Sequence, residues 1–585
     1  MPVCYIHDFM KSISILLLLL LSALSVNANR TEVSTAAEIN DGAWAAGDTI
    51  IMKNGTWTDQ IIKFSANGTA EQPIVLMAET PGEVILSGRS RLSFSGEYIE
   101  VSGLFFKDGD AGGSVIEFRT KSSELARNCR VTNTVIENYN PANNLSDSKW
   151  VSIYGEYNRV DHCSFVNKTN QGTLLVVWMT NGIVPNHAID HNFFGYRIPN
   201  LDGEGKELNG QEIIRIGTSD YSLQNGGCEI SNNYFEHCNG EIEIISNKSC
   251  ENVYTNNLFY ECVGMLTLRH GNRCTVEGNY FFGNGISDAG GVRIIGEDHK
   301  VYNNYFEALE GTGYRAALCM VRGVKDSPLN RYFQVQNAEV MFNTMVNCKQ
   351  SFSINYGSSS DQTMPPITST IAHNHVYNET SARFLVYVAQ DYVADLDVSW
   401  KNNLMNQGAF SAFSPEPSEI LKGVDPSMVR VGTTTDMFEP AAGSALADYG
   451  TEEYPEVGID IRGRARAGAR IPGASLLPGA AITREMPTRD GSGAGFYSPP
   501  NMPTNTTPQI KKEMKELDAY ALNGAIYTKV QERGTLWVYD FSGKCVHQQR
   551  MEEGLNTVSL GSGGMFILRF ASASGEVYVK KIACN

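Results

Sequence analysis

After its first 28 residues this chain of 585 has no apolar run long enough to cross a bilayer, which excludes a helical span from the rest of the sequence. It is also short of positive charge. Lys and Arg number 47 against 64 Asp and Glu, a net charge of −17, and that balance argues against nucleic acid as a partner. It leaves open an anionic sugar polymer, which needs only a locally basic groove. The helical period is missing through most of the length. Apolar residues alternate at strand period instead, among many Asn and Gly, so helical repeats are excluded as well. No cysteine follows the apolar leader to take a lipid there.

The leader reads as processing, not structure. Lys11 precedes ISILLLLLLSALSV, and Val26-Asn27-Ala28 follows. A basic start, a short apolar stretch and a small-residue site predict a secretory signal over residues 1–28. A membrane anchor is the alternative, for which the run is short. Export to the periplasm, the cell surface or the surroundings follows. Twelve cysteines in an exported chain suggest disulfides. Yet Cys238, Cys250, Cys262 and Cys274 recur every 12 residues, which in a repeating coil would stack them as two files of free thiols. The spacing leaves both readings open.

An asparagine recurs ahead of a pair of apolar or aromatic residues, at Asn133, Asn192, Asn233, Asn257, Asn279, Asn304, Asn343, Asn374 and Asn403. Where the pattern is cleanest the steps are 24, 22 and 25 residues. A repeat of this length is a solenoid. With strand-period alternation inside it, the fold class is all-β: a right-handed parallel β-helix with a small C-terminal β-sandwich. The asparagines are structural in this reading. They stack at a bend, tolerate a left-handed backbone and hydrogen-bond along the stack. A short helical signature in AAEINDGAW predicts a cap on the first coil, and residues 439–474 an irregular coil closing the other end. Residues 29–475 are assigned to the β-helix. Residues 476–515, rich in Pro, Gly, Ser and Thr, are assigned to a linker, and 516–585, with short strands between Gly turns, to the sandwich.

Four rungs carry the chemistry: EIIRIG (212–217), EIEIIS (241–246), LTLRHG (266–271) and GVRIIG (291–296). Alternation puts Ile214 and Ile216 inside with Arg215 outside. It puts Ile242 and Ile244 opposite Glu241 and Glu243, and Leu266 and Leu268 opposite Thr267 and Arg269. With coils about 4.8 Å apart, Arg215, Glu241, Glu243, Arg269 and Arg293 form one charged patch. Glu241 and Glu243 share a face with carboxylates about 7 Å apart. Together with the amide of Asn209 they make a set of hard oxygen donors suited to Ca²⁺. Lys248 is expected just past the bend, and Arg269 close to one coil beyond Glu243. A solvated Glu/Arg ladder of little energetic weight is the alternative. By alternation His270 points away from Arg269. Tyr332, in RYFQVQN, is a candidate for stacking on a sugar ring, with a structural aromatic as the alternative.

The segments NGQEIIRIG, EIEIISNKS, LTLRHGN and GGVRIIG resemble the signature segments of polysaccharide lyase family six, which contains alginate lyases and chondroitinase B. The opening AAGDTIIMKNGTW and the segment IYGEYNRVDHCSF extend the resemblance over roughly Thr31 to Leu404. It implies Lys248 as Brønsted base and Arg269 as Brønsted acid. It implies Asn209, Glu241 and Glu243 as calcium ligands, and Arg215, His270 and Arg293 as subsite contacts. The implied activity is β-elimination on alginate, leaving 4,5-unsaturated uronate ends. The chondroitin-cleaving branch of that family carries an acidic residue where this chain reads LNRYFQ with Arg331, which favours alginate. Dermatan sulfate on the same scaffold is the alternative, with Arg315, Arg322 and Lys325 as basic residues for a sulfated substrate. A β-helix glycoside hydrolase would need paired carboxylates without the Lys/Arg pair, and a non-catalytic β-helix would only grip the polymer. The C-terminal module resembles sorting domains of exported Bacteroidetes proteins. Monomer and homodimer are equally open.

Overall fold

The computed structural model describes residues 28–202, 204–415, most of 419–466, 471–500 and most of 515–584. The expected signal, residues 1–28, lies outside these except for Ala28. The chain divides into two compact units, Met1–Met502 and Pro503–Asn585.

The first unit is a parallel β-helix. Three sheets of 14, 15 and 14 strands run its length, each strand pairing with its counterpart one coil on. One antiparallel pair, Arg119–Lys121 with Glu124–Arg127, opens the 15-stranded sheet. Most strands are only a few residues long because a left-handed residue ends them. The bends at Asn232, Asn256, Asn303 and Asn402 have φ of 56°, 54°, 56° and 50°. These residues stand just before the recurring asparagines, so the stacking residue and the left-handed residue are neighbours, not one and the same as expected. The stacking residues are fully buried from Asn192 to Asn403. Each side-chain amide donates to the next residue's Oδ1, at 3.0 Å from Asn192 to Asn233 and 2.9 Å from Asn233 to Asn257 and from Asn257 to Asn279. The ladder continues through Asn304, Asn343 and Asn374 to Asn403 at 2.9–3.0 Å. Inside, Phe165, Phe194, Phe235, Phe259, Phe281 and Phe306 stack at 4.6–5.2 Å between ring centroids.

Helix α1 (Ala36–Asn40) starts the solenoid. Thr35 caps it and Glu38 returns the bond in a capping box, while Ala36 and Ile39 are buried. Its last residue donates to Ile61 O at 2.9 Å, tying it to the strand Ile61–Asn67 as a cap would. No helix among the described residues is long and apolar enough to cross a membrane. The ten cysteines whose side chains are described are all free, and all but Cys545 are buried. Cys238 and Cys262 are stacked, with Cys238 N donating to Cys262 Sγ at 3.4 Å.

The far end departs from expectation. The described residues of 439–474 pack on the wall as well as on the last coils, Val457 against Met341 and Ala372, and Leu446 and Ile471 against Leu404, and residues 476–500 bond to the wall where a linker was expected. This segment lies on the outer wall and runs back along the solenoid. Gly473 N donates to His373 O, Arg484 pairs with Glu277, Arg489 with Glu236, Gly493 N donates to His191 O, and Gly495 N to Asn133 Oδ1. Its Pro- and Gly-rich chain has no period of its own because its hydrogen bonds go to the wall. Residues 501–514 lie outside the described residues. The second unit contains a five-stranded and a three-stranded sheet around one apolar core that includes Leu536, Val538, Leu568 and Phe570.

Removing one ladder asparagine strands several buried donors at once. Asn257→Ala leaves the backbone and side-chain donors of Asn233 without their acceptor. We expect a loss of roughly 2–4 kcal/mol, read as a drop in thermal melting temperature. A melting curve superimposable on wild type would reject the structural role of the ladder.

Candidate active site

The site lies on the outer face of the 15-stranded sheet. Its strands are β1 (Leu175–Val177), β2 (Ile214–Ile216), β3 (Glu243–Lys248), β4 (Gly264–His270), β5 (Ala289–Ile294) and β6 (Leu318–Val321). Pairing makes Leu175, Ile214, Ile245, Leu266, Val292 and Leu318 one inward file, and Val177, Ile216, Asn247, Leu268, Ile294 and Met320 another. Between them Val176, Arg215, Ser246, Thr267, Arg293 and Cys319 face outward.

The expected alternation through Glu241–Ser246 fails. Ile245, not Ile244, pairs with Ile214 and Leu266, and a bulge lies between Glu243 and Ile245. Both isoleucines are buried in the core. The extra residue sets Glu243 at the edge of β3 and leaves Glu241 in the preceding bend. Their carboxylates therefore come closer than the about 7 Å of a regular strand. A third carboxylate joins them: one oxygen each of Glu212, Glu241 and Glu243 lies within 4.8 Å of the others, and all three residues are buried. Sequence reading missed Glu212. Its signal was there, since EIIRIG aligns with EIISNK as well as with EIEIIS, which puts Glu212 in the place of Glu243.

Cations ring the acidic cluster. Lys248 Nζ is 3.9 Å from Glu212 Oε1, and Arg269 Nε is 3.6 Å from Glu243 Oε1. Arg293, buried, bonds Glu243 through Nη2. Lys248 ends β3 instead of following the bend. A second bulge, at Arg269, sets His270 opposite Lys248 and so brings His270 to the side that strict alternation denied it. Burial, then the charges of Arg269 and Lys248, push the His270 imidazole down to about 3, so it is neutral at physiological pH. Its Nε2 lies 3.3 Å from Ser219 Oγ. Tyr332 lies beneath the Arg269 guanidinium, 4.2 Å from ring centroid to Cζ. Arg269 also donates to Arg331 O at 3.2 Å and Asn330 O at 3.4 Å. The expected sugar contact Arg293 is thus engaged by Glu243, and Tyr332 by Arg269.

The acidic cluster is held from behind. Thr173 Oγ1 donates to Glu212 Oε2 at 2.6 Å and Gly210 N to Glu241 Oε2 at 3.1 Å. Arg197, fully buried, donates to the carbonyls of Gln211, Lys168, Asn170 and Gly172, fixing the loop that bears Thr173. Burial and the charges of Glu212 and Glu243 raise the Glu241 carboxyl to about 9, and its Oε1 is buried without a hydrogen-bond partner. Asn209 stands on an exposed loop next to Gly210; its own carbonyl is held by Gln171. Arg215 stands apart from the acids, over Trp178.

A family model described as chondroitinase B matches residues 28–439. Among solved structures, the PL6 family alginate lyase AlyGC is similar at a TM-score of 0.69 and 35% identity, over 81% of this chain and 59% of that one. This chain therefore spans less than two thirds of AlyGC's length. A mannuronic acid specific family 6 polysaccharide lyase from human gut microbiota gives 0.61 and 31%, over 68% of this chain and 91% of that one. A PL6 family polysaccharide lyase from Pseudopedobacter saltans gives 0.55 and 29%, over 67% and 94%. No curated protein matches the chain. The family match spans the whole wall that carries Lys248, Arg269 and the three glutamates, and the chain belongs to the chondroitinase B family, polysaccharide lyase family 6.

Proposed function

We propose that this protein is an exported lyase that cleaves alginate by β-elimination, with Lys248 as base and Arg269 as acid. One observation carries the reading. Lys248, Glu212, Glu241, Glu243 and Arg269 form a continuous arc on one wall, each within 4.8 Å of the next. An amine and a guanidinium on adjacent coils thus flank one anionic sugar.

The carboxylates fit a hard divalent cation, since their oxygens converge and Glu241 Oε1 is buried without a donor. Glu212, Glu241 and Glu243, with the amide of Asn209, are the groups that would hold Ca²⁺. When bound, the ion supplies the positive charge that neutralises the substrate carboxylate and stabilises the enolate-like charge that develops beside it. Lys248, as the free amine, takes the C5 proton. The released electron pair forms the C4–C5 double bond and the C4–O4 bond breaks. Arg269 hydrogen-bonds the leaving O4, held to that task by Glu243 and the carbonyls of residues 330 and 331. The proton that O4 acquires passes through Arg269 with water or the neutral His270 completing the transfer. No water is consumed, which separates this elimination from hydrolysis.

Alginate is favoured over dermatan sulfate by the neighbouring basic residues. Arg315 pairs with Glu207 at 3.3 Å, Arg322 with Asp391 at 3.4 Å, and Arg331 with Asp361. These cations have internal partners in place of a sulfate. The alginate lyase named above, at 35% identity, supports the same substrate. For the second unit we keep the reading of a sorting module, on its pattern of short strands.

Incubation with alginate should raise the ultraviolet absorbance of an unsaturated uronate, with less or no rise on dermatan sulfate. Lys248→Ala should lower the rate by at least about 100-fold in protein that still unfolds cooperatively. Near-normal activity in that variant would reject the assigned base.

The acidic cluster gives a second test. The Glu241 carboxyl is raised to about 9 from its ordinary 4.5. Between those values the folded chain holds a proton that the unfolded chain releases, so stability falls as pH rises through that window. In chelator, the melting temperature should therefore drop between about pH 5 and pH 9. Calcium should replace the proton and restore it, and Glu241→Gln should abolish both effects. Melting that ignores calcium at pH 9 would exclude the metal site.

A further inference from the structure

Arg215 makes no ion pair and no hydrogen bond among the described residues, and its Nε is buried. A flexible cation on the wall that carries three carboxylates has every electrostatic reason to fold onto them. The structure shows what it lies on instead. Its Cζ is 5.3 Å from the centroid of the Trp178 indole. Trp178 is fixed in turn: its Nε1 donates to Ser152 Oγ at 3.1 Å, and its ring stacks on Tyr154 at 5.9 Å and 11°. Arg119 lies over Tyr154 at 3.8 Å and is itself pinned to Glu117 at 2.7 Å. The column thus runs Arg119, Tyr154, Trp178, Arg215.

Pairing relates this column to the base. Ile153, Val177, Ile216 and Asn247 are coil-to-coil neighbours on the inward side. The residues that follow them, Tyr154, Trp178, Gly217 and Lys248, therefore form one file outside. Gly217 carries no side chain, so this file has none of its own for one coil between Trp178 and Lys248, and Met179 Sδ takes the space a Cβ there would need. Two coils, roughly 10 Å, separate those two residues. Arg215 stands on that intervening coil.

We propose that Trp178, backed by Tyr154 and Arg119, is a positioning residue that keeps Arg215 off the acidic cluster and presents its guanidinium to the carboxylate of a uronate next to the scissile linkage. The indole face attracts a cation without neutralising it. A planar guanidinium matches a carboxylate two bonds at a time, and holding it in place beforehand lowers the entropy lost on binding. This inference rests on the reading of the wall as a uronate lyase site.

Steady-state kinetics on polyuronate test it. Trp178→Leu keeps apolar volume but removes the π face, and should raise KM about 10-fold with the smaller effect on kcat. Trp178→Phe should recover most of the loss. In the Trp178→Leu/Arg215→Ala double variant the losses should not add, since the indole acts through the arginine. Equal kinetics for the Leu and Phe variants, a loss confined to kcat, or additive losses would each overturn the proposal. Calorimetric binding of polyuronate to Lys248→Ala protein separates it from the lyase reading. A wild type that binds but never cleaves sinks the lyase reading, and the proposal then stands or falls on whether Trp178→Leu weakens that binding about 10-fold. A protein that neither binds nor cleaves removes both.

Discussion

Coil-on-coil pairing governs everything else in the first unit, because it decides which residues far apart in sequence become neighbours on the wall. The asparagine ladder shows the strength of that constraint. Successive rungs are separated by anything from 22 to 41 residues, yet the amide-to-amide bond stays at 2.9–3.0 Å. The strands hold their length, and insertions are pushed into the bends. The long loop that precedes β2 is such an insertion, and it carries Asn209 and Gly210, the backbone donor to Glu241. A wall of fixed spacing with variable loops at one edge is a way to build a site without disturbing the core.

On that wall the chemistry depends on burying three carboxylates together. Like charges in a low dielectric cannot all stay ionised without compensation, and the structure meets this in three ways. Arg269 and Arg293 lie against Glu243, Lys248 lies by Glu212, and the Glu241 carboxyl is raised to about 9. The same groups that would hold a cation therefore also orient the proposed acid and base. Arg269 is fixed on four sides, by Glu243, two carbonyls and Tyr332. An arginine is a poor proton donor in isolation, so its contribution here is geometric and electrostatic: a guanidinium held still where an alkoxide would form.

The segment 473–497 adds a constraint of a different kind. It bonds to coils from His373 back to Asn133, joining residues more than 300 positions apart, as between Gly495 and Asn133. A solenoid whose repeats touch only their neighbours frays from its ends. A strand of chain laid across many coils couples them, through half-buried pairs such as Arg484 with Glu277 and a bond from the bend residue Asn256 to Glu485 O.

Much of this was legible from the residues alone. The asparagine period and the strand alternation determined an all-β solenoid, the helix at its start and the wall on which charge collects. EIIRIG, EIEIISNKS, LTLRHG and GGVRIIG were enough to nominate Lys248, Arg269, Glu241 and Glu243. What alternation could not supply is phase where a strand bulges. One extra residue at Ile244 and another at Arg269 changed which side chains share a face, bringing Glu241 and Glu243 together, admitting Glu212 and turning His270 toward Lys248. Register with the next coil, not local period, sets the phase, and register is a property of two segments. The partners of residues 476–500 were hidden for the same reason, since an aperiodic segment that bonds to distant coils looks from its own sequence like a linker. Only the stacked coils decided that Arg215 meets an indole and Arg293 a carboxylate, because those neighbours come from other turns of the solenoid.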